Sequence, residues 1–342
     1  VQAAVVHGLN DIRIDERPRP RPGPDEILVQ VGAAGVCSTD VKQLIGLSPP
    51  RQVPAVLGHE LAGTIVEVGS RVVAWQAGQR VAVYPIAACG RCYFCRQDKH
   101  SLCEQEFGLG RGVDGAFAEY CRVPAEILAL GGVLDIGAMP FETAVLTEPL
   151  SCTIAAGRQC RTQPGDIVTV VGCGPMGQLN IYASKRAGAR VIAVDFKADR
   201  LTGATHMGAD LCLNPDAADV RETILAHTGR RGADVVIVAV GFVSAVEDAL
   251  PYVRKGGVIN IFGGTPQGDM LEIDPRWLHY GEICLTGTFG SSVQDFRQAY
   301  GWLREDAETI GRILSHTCKL PDIVEAVHRV KEGKGTKTVV VM

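Results

Sequence analysis

The first third of the chain alternates short runs of β-branched and other apolar residues with turn signals. Residues 27–31, 63–68 and 80–83 are such runs, and Pro22-Gly23-Pro24 and Ala77-Gly78-Gln79 are turns between them. This pattern predicts a mostly β domain. From about Pro164 the pattern changes: apolar runs at 167–171, 191–194, 235–240, 258–262 and 283–289 are separated by helical stretches. Strands alternating with helices predict a parallel sheet covered on both faces. After Ser291 the periodicity predicts two amphipathic helices, near 293–303 and 320–332, and a last strand at 338–342.

A length of 342 residues exceeds the size at which one core usually keeps growing. Two domains are expected: residues 1–149 with 291–342, and residues 150–290. The net charge of −4 offers no field for a phosphate backbone, and no Lys/Arg-rich run suggests nucleic acid or anionic lipid. The expected partner is a small molecule. No apolar stretch is long enough to cross a bilayer, and residues 1–15 lack the basic-then-apolar pattern of a signal peptide, so a cytoplasmic setting is expected.

The strand predicted at 167–171 runs into Gly172-Cys173-Gly174-Pro175-Met176-Gly177, and residues 178–187 read as a helix. A glycine motif of this kind is weak alone. Here a second strand follows and ends in an acid, Asp195, about twenty residues on, as a dinucleotide fold requires. The glycines permit a tight turn and close approach of the backbone to a pyrophosphate at the positive end of the helix. Asp195 can accept hydrogen bonds from ribose hydroxyls and would repel a 2′-phosphate, which favours NAD; Arg200 is the residue that could instead receive that phosphate. The plainer alternative is a strand-helix turn without a ligand.

Twelve cysteines are present, and Cys89, Cys92, Cys95 and Cys103 crowd together. Four thiolates at this spacing match the tetrahedral demand of zinc and leave no open position, which reads as a structural site. An iron-sulfur cluster and a zinc ribbon on nucleic acid are the competing readings, and neither a second cysteine group nor a basic patch supports them. A second group is dispersed: Cys37, His59-Glu60 and Glu148. Each alone reads as core or structure. Together they supply a thiolate, an imidazole and one or two carboxylates, enough to neutralise a zinc dication and leave a position open. Pro149 is expected to hold Glu148 extended.

These motifs together resemble the zinc-containing medium-chain dehydrogenase/reductase family, and within it the sorbitol (polyol) dehydrogenase-like branch, over essentially the whole chain. The branch is suggested by Glu148-Pro149-Leu150, where the alcohol-active branch has a cysteine. The resemblance implies a GroES-like catalytic domain plus a Rossmann domain, a homo-oligomer, and two zinc ions. Cys37, His59 and Glu60 or Glu148 would hold the catalytic zinc, and Asp40 would fix the His59 tautomer. Zinc would lower the pKa of a secondary alcohol, whose hydride passes to NAD to give a ketone.

Thr39 occupies the family's hydroxyl position and would take the alcohol proton first. Where many relatives have a histidine, this chain has Lys42, an ammonium already protonated at neutral pH. Lys42 is therefore expected to attract cofactor phosphates or lie in solvent, with water completing the relay. The polyol enzymes' arginine is absent from Gly287-Thr288-Phe289-Gly290-Ser291-Ser292, which argues against sorbitol itself as substrate. Alternatives are amino-alcohol oxidation of the threonine dehydrogenase type and a catalytically silent NAD-binding zinc protein. The remaining histidines, His100 among them, are assigned surface or structural roles by default.

Overall fold

Strand Ile27–Val36 is the spine of the N-terminal sheet, and almost every residue along it is buried. In this computed structural model, which describes residues 1–48 and 50–342, it pairs antiparallel with Glu60–Val68 on one side and with the C-terminal strand Lys337–Val341 on the other. The sheet runs Val133–Asp135, Arg80–Val83, Glu60–Val68, Ile27–Val36, Lys337–Val341, Leu314–Lys319, and Tyr120–Val123 also pairs with Ile27–Val36.

Alternation along these strands separates two cores. Ile27, Val29, Val31, Leu61, Ile65, Val81 and Val83 face Phe117 and Ile127. Ala33, Ala62, Ala82 and Val339 point the other way, and their small side chains make room for Tyr84 and Phe296. Helix Val293–Glu305, which carries Phe296, starts with a capping box between Ser292 and Asp295.

The second sheet is all parallel and six-stranded, in the order Leu211–Leu213, Arg190–Val194, Ile167–Val171, Ala233–Val238, Val253–Ile261, Cys284–Gly287. The strand order reverses beside Ile167–Val171, and such a switch point is where dinucleotides bind in doubly wound folds. The first sheet builds a mostly β domain and the second a Rossmann-type domain. Two compact units are distinguished: Val1–Ser151 with Ser291–Ala307 and Leu314–Met342, and Cys152–Gly290 with Glu308–Ile313. Among the described residues no helix is long and apolar enough to cross a membrane.

Several local expectations change. The hairpin Gln2–Gly8/Asp11–Glu16 and the short strands Leu211–Leu213 and Leu314–Lys319 stand outside the expected elements: Ala3-Ala4-Val5-Val6 is an apolar run the expectation passed over, Leu211–Leu213 is only three residues long, and Asp11–Glu16 and Leu314–Lys319 carry no such run. The strand expected at 258–262 begins at Val253, and the one expected at 283–289 is only Cys284–Gly287. The expectation for Glu148 is corrected: it lies in helix Thr147–Cys160, with Pro149 in the first turn. A first-turn amide has no intrahelical acceptor, so proline costs nothing there and its fixed φ suits the helix.

Candidate metal and dinucleotide sites

Ladder register gathers the dispersed residues. Strand Ile27–Val36 is followed directly by Cys37, the N-cap of helix Ser38–Leu44. Glu60 opens its strand opposite Gly35, and Thr338, the neighbour of Lys337, lies opposite Val36. A thiol, a carboxylate and an ammonium far apart in sequence thus share one end of the sheet.

One ligand atom from each of Cys37, His59 and Glu60 falls within 4.8 Å of the others. Asp40 organises the group. Its Oδ2 accepts the Cys37 N–H at 2.8 Å, while Oδ1 accepts the Gly58 N–H at 3.2 Å and lies 3.4 Å from His59 Nδ1. With Nδ1 committed to Asp40, Nε2 is left for a metal. Burial alone would lower the His59 pKa, but Asp40 and then Cys37 raise it well above the ordinary value.

Glu60 supplies the test of whether a cation fits. Its Oε1 accepts from Lys337 Nζ at 2.5 Å, whereas Oε2 is buried and has no hydrogen-bond partner. A buried carboxylate oxygen left unpaired is costly, and a cation beside Cys37 and His59 would satisfy it. Gly35 makes the room, since a Cβ there would collide with Oε2. Lys337 also donates to Val36 O at 3.1 Å. Burial would lower its pKa, but Glu60, Cys37 and Glu148 raise it above the ordinary value. Glu148 lies outside the compact group of three.

Thr39 is exposed, with Oγ1 3.7 Å from Cys37 Sγ. Lys42, a turn later on the same helix, is half-buried and has a partner of its own.

The clustered cysteines form a separate lobe. Cys89, Cys92, Cys95 and Cys103 bring their sulfurs within 4.8 Å of one another, and Cys89 Sγ lies 3.9 Å from Cys95 Sγ. Tetrahedral zinc with Zn–S bonds of about 2.3 Å separates its sulfurs by about 3.8 Å, so the lobe has the right size. Backbone N–H groups point at the thiols: Cys92 N–H donates to Cys89 Sγ at 3.3 Å, and Gln105 N–H to Cys103 Sγ at 3.4 Å. Amides of Cys95 and Glu104 hold the Cys92 pKa at about 6. Burial pushes Cys95 up to about 12, a cost that metal ligation would offset.

In the Rossmann unit, Gly172 takes φ +88°, and a Cβ on Gly177 would collide with the Gly172 carbonyl. Gly174 caps helix Pro175–Arg186, with Pro175 and Met176 in its first turn, and a Cβ on Gly174 would meet nothing within 4 Å. That open space over the helix N-terminus is where a pyrophosphate would be cradled. Asp195 closes the turn: Oδ2 accepts the Cys173 N–H at 2.7 Å, and Oδ1 accepts the Lys197 N–H at 2.8 Å. Arg200 stands 3.7 Å from Asp195.

Family comparison agrees with both halves. Residues 23–131 match the alcohol dehydrogenase GroES-like domain and residues 175–305 the zinc-binding dehydrogenase domain. Sorbitol dehydrogenase of Bacillus subtilis is 35% identical over 84% of this chain and 82% of its own length. The chain belongs to the zinc-dependent medium-chain dehydrogenase/reductase family. L-threonine 3-dehydrogenase of Symbiobacterium thermophilum is 32% identical over 96% of this chain and 93% of that one. A dehydrogenase of Sinorhizobium meliloti described as zinc-binding, solved bound to NADP, superposes with a TM-score of 0.92 at 30% identity, covering 100% of this chain and 99% of the other. As a medium-chain dehydrogenase, the chain is an oxidoreductase.

Sequence reasoning missed Lys337. Its only signal is a lone cation opening the apolar strand Lys337–Val341.

Proposed function

We propose that this chain oxidises a secondary alcohol within a polyol to the ketone, with NAD as hydride acceptor. The observation that carries the reading is the group Cys37, His59 and Glu60, in which a buried carboxylate oxygen stands unpaired beside a thiol and an imidazole. Zinc held there would supply the Lewis acidity that lowers the pKa of a substrate hydroxyl.

The chain's own groups do the rest. Asp40 orients His59 and pins the backbone of Cys37 and Gly58. Lys337 balances Glu60 while leaving Oε2 available. Thr39 accepts the alcohol proton at its hydroxyl and passes it outward through water. The glycine turn holds the pyrophosphate, and Asp195 takes the ribose hydroxyls. Glu148 acts at longer range than Glu60. The reading places the protein in a reducing, cytoplasmic setting, which suits cysteines that are all free. It also makes the protein a homo-oligomer, because Cys284–Gly287 lies at the edge of the parallel sheet.

The second reading, oxidation of an amino alcohol, is favoured by the similarity to L-threonine 3-dehydrogenase. Recording NADH formation with sugar alcohols, cyclitols, sugar phosphates, sugar acids and L-threonine separates the two. Turnover of L-threonine well above every polyol would overturn the first.

A further inference from the structure

His100 lies in sequence between Cys95 and Cys103 of the four-cysteine lobe, and its imidazole meets the start of helix Val293–Glu305. It is buried, and its Nδ1 accepts the Val293 N–H at 3.3 Å. Val293 is the first residue of that helix, so this amide has no intrahelical acceptor, and His100 supplies one from another part of the chain. Tyr84 reinforces the junction. Its ring meets His100 edge-on at 6.4 Å and packs on Phe296 at 5.6 Å, and its hydroxyl donates to the Ser291 carbonyl.

From Ser291 a single line of donors continues. The Ser151 hydroxyl donates to the Glu148 carbonyl at 2.6 Å, which leaves the Ser291 hydroxyl to donate to Ser151 Oγ at 2.7 Å. Tyr84, Ser151, Ser291, Ser292 and Asp295 are all buried, so each of these bonds is expensive to leave unmade.

We propose that His100 is a positioning residue: through the Val293 amide it fixes the Ser291–Ser151 pair and hence the Glu148 backbone, coupling the structural-metal lobe to the catalytic-metal site. This rests on the reading of Glu148 as a contributor to that site. The geometry gives the structural metal a task besides local stability, because the lobe must hold its shape for His100 to meet the helix.

The test uses the full protein with both metal sites filled, and with cobalt(II) at the catalytic site as a spectroscopic probe. His100→Phe keeps a ring but removes the acceptor, and His100→Asn restores an acceptor in place of Nδ1. Amide exchange followed by mass spectrometry should be faster in His100→Phe at residues 291–296 and 147–151, on the order of tenfold for a lost helix-terminal hydrogen bond. The cobalt d–d bands should shift with it, and His100→Asn should return both readouts toward wild type. Ser291→Ala, which leaves the lobe untouched, should reproduce the faster exchange at 147–151 and the band shift. Wild-type exchange at 147–151 in either His100→Phe or Ser291→Ala would overturn the proposal. Glu148→Gln separates the underlying reading: unchanged cobalt bands in that variant remove Glu148 from the metal site, while the exchange data still decide whether the lobe positions it.

Discussion

Lys337 and Glu60 form a buried ion pair, Nζ to Oε1 at 2.5 Å, that occupies one carboxylate oxygen and leaves the other unpartnered. The last strand of the chain therefore supplies the countercharge for a residue on the strand Glu60–Val68. An ammonium and a metal dication then compete for, and also share, one carboxylate.

Lys337→Met should expose that competition. Breaking a buried pair by removing one partner costs about 3–5 kcal/mol, because the other charge stays buried. Zinc bound beside Glu60 would replace the lost charge, and without the ammonium it would bind more tightly. The metal-free variant should therefore unfold at clearly lower temperature than metal-free wild type, and zinc should raise its melting temperature by more than it raises that of wild type. Thermal denaturation of both proteins with and without zinc decides this. An equal or smaller zinc effect in the variant would remove Glu60 from the metal site.

Two zinc ions per chain are expected, one in each cysteine-containing group. Cys37→Ser should lower the content from two to one and abolish turnover while leaving the fold intact, because Cys37 is one ligand at a sheet end. Cys92→Ser should instead reduce the yield of folded protein, since that lobe closes on its metal alone. Elemental analysis of the purified proteins checks both, and a single zinc in undamaged wild type would refute the assignment.

NAD should be preferred over NADP, and Asp195 should set the preference. Because both carboxylate oxygens already accept backbone amides, Asp195→Ala would loosen the turn as well as remove the charge. Asp195→Asn removes the charge but keeps one carbonyl acceptor, so it disturbs the turn less than alanine while still leaving one of the two backbone amides facing its NH2. It should lose about 1.5–3 kcal/mol in kcat/KM with NAD, the value of a charged hydrogen bond, and narrow the ratio to NADP. The NADP-bound relative makes this comparison informative, and wild type favouring NADP would sink the reading.

Self-association should be visible in solution. Strand Cys284–Gly287 presents an unpaired sheet edge, and edges of this kind are usually covered. Light scattering at micromolar concentration should give a mass well above the 36.4 kDa of one chain. Only monomer-sized particles would contradict it.

Much of the chain is legible in its sequence because the chemistry there is local. Residues 167–195 hold a strand, a glycine turn, a helix and an acid in succession, and Cys89 to Cys103 close on themselves. What is not legible depends on long-range register. Lys337 meets Glu60 only because Lys337–Val341 inserts beside Ile27–Val36, and no local pattern announces that pairing. His100 meets Val293 by the same kind of long-range packing. Pro149 misleads because a proline constrains its predecessor in general, whereas at a helix start it is simply tolerated. The short strand Leu314–Lys319 is half-buried along alternate positions and carries too few apolar residues to register as a run.

The last prediction separates Thr39 from Lys42, which lie three residues apart on helix Ser38–Leu44 and so on neighbouring positions of its surface. Thr39 is exposed beside the Cys37 sulfur, 3.7 Å away, where a hydroxyl can accept the substrate proton and hand it on. General-base assistance of this sort is worth roughly 10²–10⁴ in rate, and Thr39→Val should cost that much. Lys42 carries only donors on its ammonium and no lone pair with which to receive a proton. Lys42→Ala should therefore leave turnover at saturating NAD within about tenfold of wild type, below the general-base range, although it can raise the NAD concentration required if the ammonium attracts phosphate. Steady-state kinetics between about pH 6 and 10, with single-turnover experiments to isolate the chemical step, read both variants. A hundredfold loss in Lys42→Ala at saturating cofactor, restored by small added amines, would make the lysine the relay and displace water from that role.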